Sequence, residues 1–172
     1  ADESEIVAVC DTIESKAKEY GEKLGVPFYT SLTEMLKQDN IEIVSLCTPS
    51  GLHPEHGIEV AKSGRHVLTE KPMGTSYQKA RNLIDTCDAN DVQLHVVHQN
   101  RLNTTIDTLK SAIDKNRFGR IYSIQVNVFW TRPQEYYDAA KWRGTWEFDG
   151  GCFMNQASHY IDLIDYLVGD VD

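Results

Sequence analysis

The chain has 172 residues, and its 41% hydrophobic and 25% charged content is typical of a folded globular protein. Its 26 acidic residues outnumber the 17 Lys and Arg, and the formal net charge of -9 argues against a nucleic-acid partner bound through its phosphates. No apolar run approaches the roughly 20 residues that span a bilayer, and the acidic start is unlike a signal peptide, so we expect a cytoplasmic protein without a membrane partner. The four cysteines form no C-x-x-C motif and are expected to be reduced thiols.

Strands and helices alternate through the first hundred residues. Apolar runs predict strands over 5–10, 41–46, 66–69 and 92–97, with a short extended piece broken by Pro27 over 26–29. Amphipathic segments between them predict helices over 13–24, over about 54–63, and from the capping spacing Thr75-Ser76-Tyr77-Gln78 to about 89. A further helix is predicted from Ser31, where Ser31 and Glu34 have the spacing of a capping box. This order is typical of an α/β fold, a Rossmann-like doubly wound parallel sheet, which we assign to residues 1–100.

The pattern changes after residue 100. A helix is predicted over 104–115, and residues 121–130 alternate in part between apolar and polar side chains, which predicts a strand with two unlike faces. A last helix is predicted to open at Gly150-Gly151 and to carry Asn155 and His159 one turn apart on the same face. We assign residues 101–172 to the beginning of an α+β substrate domain.

The glycine turn of a dinucleotide site is absent from this sequence. None of the 11 glycines forms G-x-G, yet Asp11 follows a strand, where the carboxylate that holds the adenosine ribose would lie about 20 residues after such a turn. We therefore expect that the chain begins one βα unit late and that the sheet is interrupted between two halves. We also expect no useful affinity for NAD from these 172 residues alone.

Two motifs carry a resemblance to a known family. Glu70-Lys71-Pro72 directly follows a strand, and Gly150-Gly151-x-x-x-Asn155-x-x-x-His159-x-x-Asp162 lies downstream. Together they resemble the glucose–fructose oxidoreductase, inositol dehydrogenase and rhizopine-catabolism (Gfo/Idh/MocA) family, over essentially the whole chain. The resemblance implies an oxidoreductase that transfers hydride from a secondary alcohol to a nicotinamide cofactor.

Three segments, 129–137, 142–151 and 154–159, look like one branch of that family. The branch oxidises the 3-hydroxyl of a UDP-linked N-acetylglucosaminuronic acid with NAD, in the synthesis of lipopolysaccharide O-antigen sugars. Two alternatives stay open: another sugar or polyol dehydrogenase of the same family, and a redox-inactive protein that binds nucleotide sugars. The family also implies a homo-oligomer, a dimer or a tetramer.

Lys71, Asn155 and His159 are the candidate catalytic residues, and all three are also expected to contact the substrate. An ammonium partly out of water and near a positive nicotinamide ring should have a lowered pKa, so Lys71 is a candidate base for the hydroxyl proton. His159 titrates near neutrality and is the alternative base. Asn155, where many relatives have Asp, can position a hydroxyl or the imidazole, and Asp162 is expected to be a structural partner.

The resemblance also assigns residues to the cofactor. Asp11 should hold the adenosine ribose, and because no Arg follows it, NAD is favoured over NADP; a plain helix-capping role for Asp11 stays open. Arg101 is a candidate for an anionic group of the substrate, since its donors form a fork. The other expected cofactor contacts are Thr48, Pro49, His53, Glu70, Lys71, Gln99, Trp142 and Arg143. No metal is expected, because the closely spaced histidines lack ligand geometry.

Overall fold

The computed structural model describes residues 4–169. Five short strands alternate with helices in its first part: β1 Val9–Cys10, α1 Glu14–Leu24, β2 Phe28–Tyr29, α2 Leu32–Met35, β3 Ile43–Leu46, α3 His53–Lys62, β4 His66–Thr69, α4 Tyr77–Ala89 and β5 Leu94–Val96. Three helices follow: α5 Thr104–Asp114, α6 Gln134–Asp138 and α7 Ser158–Val168. Single 3₁₀ turns lie at Ser50–Leu52 and Gln99–Leu102. No helix among residues 4–169 is long and apolar enough to cross a membrane.

Local sequence explains where the first helices begin and end. Gly25 follows α1 in the left-handed conformation, with φ of 70°, and its N–H donates to the Gly21 carbonyl. Ser31 precedes α2, and its hydroxyl accepts from the Glu34 N–H at 3.4 Å, which confirms one half of the predicted capping box. These caps satisfy backbone groups that have no partner inside the helix.

The strands form two separate parallel sheets. β1 pairs with β2 in one, and the other has the order β3-β4-β5, with Ile43 opposite His66 and Val67 opposite Leu94. The parallel α/β architecture is confirmed. Within the described residues no strand joins the two sheets, which agrees with the predicted interruption between two halves.

The main core lies between the three-stranded sheet and the helices α3 and α4. Val60, Val67 and Leu83 have no solvent-exposed surface, and burying side chains of this size stabilises the fold by roughly 1.5–3 kcal/mol each. The two helices approach closely at Gly57, where an added Cβ would lie 2.7 Å from a Leu83 methyl carbon. This core holds the carboxyl ends of β3, β4 and β5 at one edge.

The strand predicted over 121–130 is not observed. No helix or strand is assigned to these ten residues, and all of their side chains are exposed. A strand needs a neighbour that accepts and donates its backbone hydrogen bonds, and among residues 4–169 none pairs with this segment. The alternating pattern therefore has no covered face here.

The last helix begins later than predicted. Gly150 and Gly151 have φ of 75° and 82°, values that a right-handed helix excludes, and turns follow until α7 opens at Ser158. His159 lies in the first turn of α7, whereas Asn155 lies in the turns before it. The expectation that both share one helical face is wrong, and a different contact holds Asn155 in place.

Candidate active site

Candidate residues gather at the carboxyl edge of the three-stranded sheet. Thr48 and Pro49 follow β3, Glu70 and Lys71 follow β4, and Gln99 lies beyond β5. Because the three strands are parallel, these segments leave the sheet at the same edge, which is where ligands bind in open α/β sheets. The fold thus brings together side chains that are up to 51 positions apart in the chain.

Lys71 is held by two oxygens of a single residue. Its Nζ donates to the Asn155 backbone carbonyl at 2.8 Å and to the Asn155 side-chain Oδ1 at 3.2 Å. Burial lowers the pKa of the Lys71 ammonium below its ordinary value; Glu70 and Asp149 oppose that shift, and Arg132 adds to it. The predicted direction of the Lys71 pKa shift is confirmed, with burial as the main cause.

A buried carboxylate, Asp149, stands behind Asn155. Asp149 is 2% exposed, accepts from the Gly144 N–H at 2.8 Å through Oδ2, and accepts from Asn155 Nδ2 through Oδ1. Sequence reasoning assigned it no role. The available signal in the sequence was an acidic residue directly before Gly150-Gly151.

His159 is buried at the start of α7. Burial lowers the pKa of its imidazole, and the neighbouring Lys71 and His98 lower it further, against the opposing charges of Glu70 and Asp162. Its Nδ1 is inaccessible to solvent and has no hydrogen-bond partner in the described part of the chain. An unpartnered polar atom of this kind suits a ligand that supplies the missing partner.

Arg101 is paired with a carboxylate of the protein itself. Its Nε and Nη2 donate to Asp162 at 2.9 and 2.5 Å, and Asp162 also contacts His98 Nδ1 at 3.2 Å. The hydrogen bond to Asp162 raises the pKa of Arg101. Asp162 thus occupies two of the five N–H donors of the fork that we expect to bind a substrate anion, and the substrate role of Arg101 stays a prediction. Asp162 has the expected place of a structural partner.

His53 is enclosed rather than presented to a cofactor. It is 1% exposed, and its Nδ1 and Nε2 lie 2.8 Å from the Pro72 carbonyl and 2.7 Å from the Thr48 carbonyl. A carbonyl oxygen only accepts, so each of these contacts is a hydrogen bond when that ring nitrogen carries the hydrogen. The expected cofactor contact of the His53 ring is therefore corrected: the ring joins the loop after β3 to the turn after Lys71. The Lys71-Pro72 peptide bond in that turn is cis.

The remaining cofactor candidates after the first strands keep polar atoms available. Asp11 Oδ1 accepts from the Ile13 N–H at 2.8 Å, an Asx turn ahead of α1, while its second oxygen has no partner among residues 4–169. Thr48 Oγ1 lies 3.1 Å from His56 Nδ1. Glu70 is partly exposed and Gln99 is exposed at the sheet edge. A dinucleotide with ribose hydroxyls fits such acceptors.

Trp142 and Arg143 lie in a segment that docks on this edge. Arg143 donates to the Tyr136 carbonyl at 2.8 Å, and its guanidinium lies 4.3 Å from the Tyr136 ring centre. The Gly51 N–H donates to the Phe148 carbonyl at 3.0 Å and joins the segment to the loop after β3. Five buried polar side-chain atoms have no partner in the described residues, and four of them lie between residues 132 and 159: Arg132 Nε, Arg143 Nε, Gln156 Nε2 and His159 Nδ1.

These unpartnered polar atoms suit a polar ligand more than an apolar one, and the sheet edge below them suits a dinucleotide. Among residues 4–169 no group of three His, Cys, Asp or Glu side chains is arranged to hold a metal ion. The residues expected from sequence are therefore brought together with three qualifications: Arg101 is paired with Asp162, His53 is enclosed, and Asp149 is added.

Solved structures of similar proteins cover the same residues. The chain is 55% identical to the WlbA dehydrogenase from Bordetella pertussis in complex with NADH and UDP-GlcNAcA, with a TM-score of 0.95 over 99% of this chain and 49% of that chain. Its similarity to the WlbA dehydrogenase from Chromobacterium violaceum, also in complex with NADH and UDP-GlcNAcA, is 54% identity and a TM-score of 0.96, over 99% of this chain and 50% of that chain.

Curated relatives include the scyllo-inositol 2-dehydrogenase (NADP(+)) IolW of Bacillus subtilis, 33% identical over 80% of this chain and 38% of the relative. The chain spans about half the length, or less, of the relatives it matches. Residues 1–98 match an oxidoreductase family with an NAD-binding Rossmann fold, and residues 106–172 match the GFO/IDH/MocA C-terminal domain. The chain therefore belongs to the Gfo/Idh/MocA family of NAD-binding oxidoreductases.

Proposed function

We propose that the full-length protein oxidises the 3-hydroxyl of a UDP-linked N-acetylglucosaminuronic acid to a ketone, with NAD as the hydride acceptor. The observation that carries this is the Lys71 amine, partly buried, lowered in pKa and fixed by both oxygens of Asn155. Similarity to two dehydrogenases crystallised with NADH and UDP-GlcNAcA supports the choice of substrate.

Lys71 has the geometry of a base for the hydroxyl proton. A neutral amine carries two N–H bonds and one lone pair, and the two Asn155 oxygens accept both N–H bonds. The lone pair then points away from Asn155 and is free to take the proton of a substrate hydroxyl. Burial favours this neutral form, because it lowers the pKa of Lys71.

His159 is assigned to binding the sugar. Its Nδ1 lacks a partner in the described part of the chain, and burial together with the neighbouring Lys71 lowers its pKa and so keeps the imidazole neutral down to lower pH. A neutral imidazole has one donor and one acceptor nitrogen and can orient a hydroxyl beside Lys71. We therefore divide the two candidate roles by geometry: Lys71 takes the proton and His159 orients the hydroxyl that carries it.

NAD, when bound, supplies the electron sink that takes the hydride from the carbon of the alcohol. Asp11 would hold the adenosine ribose through its second carboxylate oxygen. Thr48 and Pro49 would line the dinucleotide, and Glu70, Gln99, Trp142 and Arg143 would surround its nicotinamide end. A place in O-antigen sugar synthesis, a cytoplasmic location and a homo-oligomer belong to the same proposal and rest on the family resemblance.

The test measures NADH formation by the full-length protein with UDP-N-acetylglucosaminuronate. We expect turnover with this substrate and a loss of roughly 100- to 10,000-fold in kcat for Lys71→Ala, with NAD binding retained. Lys62→Ala removes an exposed lysine in α3 and should leave kcat unchanged. Full activity of Lys71→Ala would remove Lys71 from the proton-transfer role.

A second candidate is oxidation of a free sugar or polyol. It is favoured by the similarity to inositol dehydrogenases, including the myo-inositol 2-dehydrogenase of Thermotoga maritima, which is 25% identical over 98% of this chain and 49% of the relative. The same assay with inositols and unmodified sugars separates the candidates. NADH formation with these compounds, and none with the UDP-sugar, would establish the second candidate and exclude the first.

A further inference from the structure

We propose that Asp149 is a positioning residue of the active site: its carboxylate fixes the Asn155 amide so that the amide oxygen faces Lys71, and it places a buried negative charge behind that amide. The inference rests on the proposed function for the role of Lys71. Asp149 contacts Asn155 and Gly144, and no direct contact with Lys71 is involved.

The orientation follows from which atoms donate and which accept. Both Asp149 oxygens are occupied by donors, the Gly144 N–H and the Asn155 Nδ2. A carboxylate only accepts, so the Asn155 amide must turn its NH₂ group toward Asp149. The amide oxygen is thereby left facing Lys71 Nζ, at 3.2 Å, where it accepts the second N–H bond of the lysine.

The charge of Asp149 acts on Lys71 across this arrangement. The charged or titratable groups that surround Lys71 are Glu70 and Asp149, which favour the ammonium, and Arg132 and His159, which oppose it when charged. Asp149 is nearly inaccessible to solvent, so water screens its charge less than that of an exposed carboxylate. It therefore counteracts part of the effect of burial on Lys71.

Asp149→Asn removes both effects. The Gly144 N–H and the Asn155 Nδ2 meet different oxygens of Asp149, and Asn at position 149 has an NH₂ group in place of one of them. One donor therefore loses its acceptor, or the Asn155 amide turns over. We expect kcat for the UDP-sugar to fall by roughly 10- to 100-fold, the cost of a hydrogen bond to a charged group. The rising limb of the pH profile of kcat/KM should move to lower pH, because loss of a nearby negative charge lowers the pKa of Lys71.

Exchanging the two side chains, in the double variant Asp149→Asn/Asn155→Asp, is the matched rescue. The amide then at position 149 accepts from the Gly144 N–H and donates to the carboxylate at position 155, and that carboxylate accepts from Lys71, so every hydrogen bond is restored. The negative charge now lies directly against Lys71. We expect kcat to recover when it is measured at a pH above the rising limb. The rising limb of the kcat/KM profile should lie at higher pH than in the wild type. Glu147→Gln, an equal charge change on an exposed side chain nearby, should shift neither quantity.

The Lys71 titration gives a readout that needs no turnover. Full-length protein labelled with ¹³C at the lysine ε-carbons, with Lys71 assigned through Lys71→Arg, should show a lower midpoint in Asp149→Asn and a higher one in the double variant. Such shifts support the role of Asp149 even if the UDP-sugar proves not to be the substrate. An unchanged midpoint in both variants, or a fall in kcat with no shift of the midpoint, overturns the proposal. If Asp149→Asn does not fold, the double variant and its alkaline shift decide the question alone.

Discussion

Partial burial decides the chemistry of the two candidate bases. Lys71 and His159 each have a lowered pKa because burial penalises the charged form, and the Lys71 charge adds to the effect on His159. Their surroundings differ, because Lys71 has two fixed acceptors and His159 has a nitrogen without a partner in the described residues. This difference supports the proposed division, in which Lys71 takes the proton and His159 binds the sugar.

Loss of the His53 side chain should cost stability without removing a group from the proposed proton transfer. His53→Ala leaves two carbonyl oxygens, those of Thr48 and Pro72, without their partner in a buried site. We expect the free energy of unfolding to fall by about 2–4 kcal/mol, from the lost hydrogen bonding of the ring, the desolvated carbonyl acceptors and the cavity that the ring leaves. Urea denaturation of the full-length protein measures this difference.

His56→Ala is the matched control for that variant. His56 lies one turn further along α3, is only partly buried, and makes one side-chain contact, with the Thr48 hydroxyl. Its loss should cost about 1 kcal/mol or less. Equal losses from the two variants would show that His53 does not tie the two loops together as the geometry indicates.

Sequence reasoning located Lys71 and His159 because each belongs to a motif with fixed spacing. It did not assign a role to Asp149. That role depends on the contact between Asp149 and Asn155, and the backbone between them turns at two consecutive glycines with positive φ. It also gave Arg101 a substrate anion and His53 a cofactor contact. Both expectations considered the side chain alone, whereas in the fold Asp162 accepts from two donors of Arg101 and two backbone carbonyls contact the His53 ring.

Element boundaries were predictable where a local signal ends an element. The helices over 14–24, 53–62 and 77–89 lie within one residue of their predicted bounds, because glycine or a helix-capping residue marks their ends. Most strand lengths were overestimated: β1 covers two residues where six were predicted, although β4 has its predicted bounds. A strand extends only as far as its neighbour does, and the neighbour is not a local property.

The two mispredicted elements show the same limit. The alternating residues 121–130 need a partner strand and a covered face, and the described chain supplies neither. The helix expected at Gly150-Gly151 does not begin there, because both glycines have a positive φ, and α7 begins at Ser158. Periodicity identified apolar faces in both cases but could not say whether the rest of the molecule supports them.

The element that carries His159 is anchored by an ion pair. Asp162 of α7, with a side chain 9% exposed, holds the Arg101 fork that follows β5. Asp162→Asn should reduce the free energy of unfolding by about 1–3 kcal/mol, because Arg101 loses a charged acceptor. Asp165→Asn, an exposed position one turn along the same helix, should change it by less than about 0.5 kcal/mol. Thermal unfolding of both variants checks the comparison, and similar midpoints would contradict an anchoring role.

At the scale of the whole molecule, the site is assembled from both family-matched regions. Lys71 comes from residues 1–98, whereas Asn155 and His159 come from residues 106–172. The bond between Lys71 and Asn155 therefore depends on how the segment 142–151 rests on the sheet edge. That contact is close: the Gly51 N–H reaches the Phe148 carbonyl at 3.0 Å, and the Thr75 hydroxyl reaches the Glu147 carbonyl at 2.9 Å.

Gly51→Ala should therefore loosen the site from a distance. An added Cβ would lie 2.8 Å from the Phe148 Cα and closer still to the Glu147 carbonyl oxygen, and backbone on both sides leaves no flexible group to move aside. The segment must shift outward, which lengthens the contact between Lys71 and Asn155. We expect kcat to fall by about tenfold or more, since small displacements of catalytic groups are costly.

Hydrogen exchange of the full-length protein separates this displacement from general unfolding. In Gly51→Ala, peptides covering residues 142–157 should exchange faster than in the wild type, while peptides from α4 should be unchanged, because the α3–α4 core lies outside the contact. Thr75→Val removes one hydrogen bond from the same contact without adding a clash and should give a smaller change in the same peptides. Faster exchange throughout would mean that the fold itself is weakened. Unchanged exchange in 142–157 would mean that the contact at Gly51 does not set the position of Asn155 against Lys71.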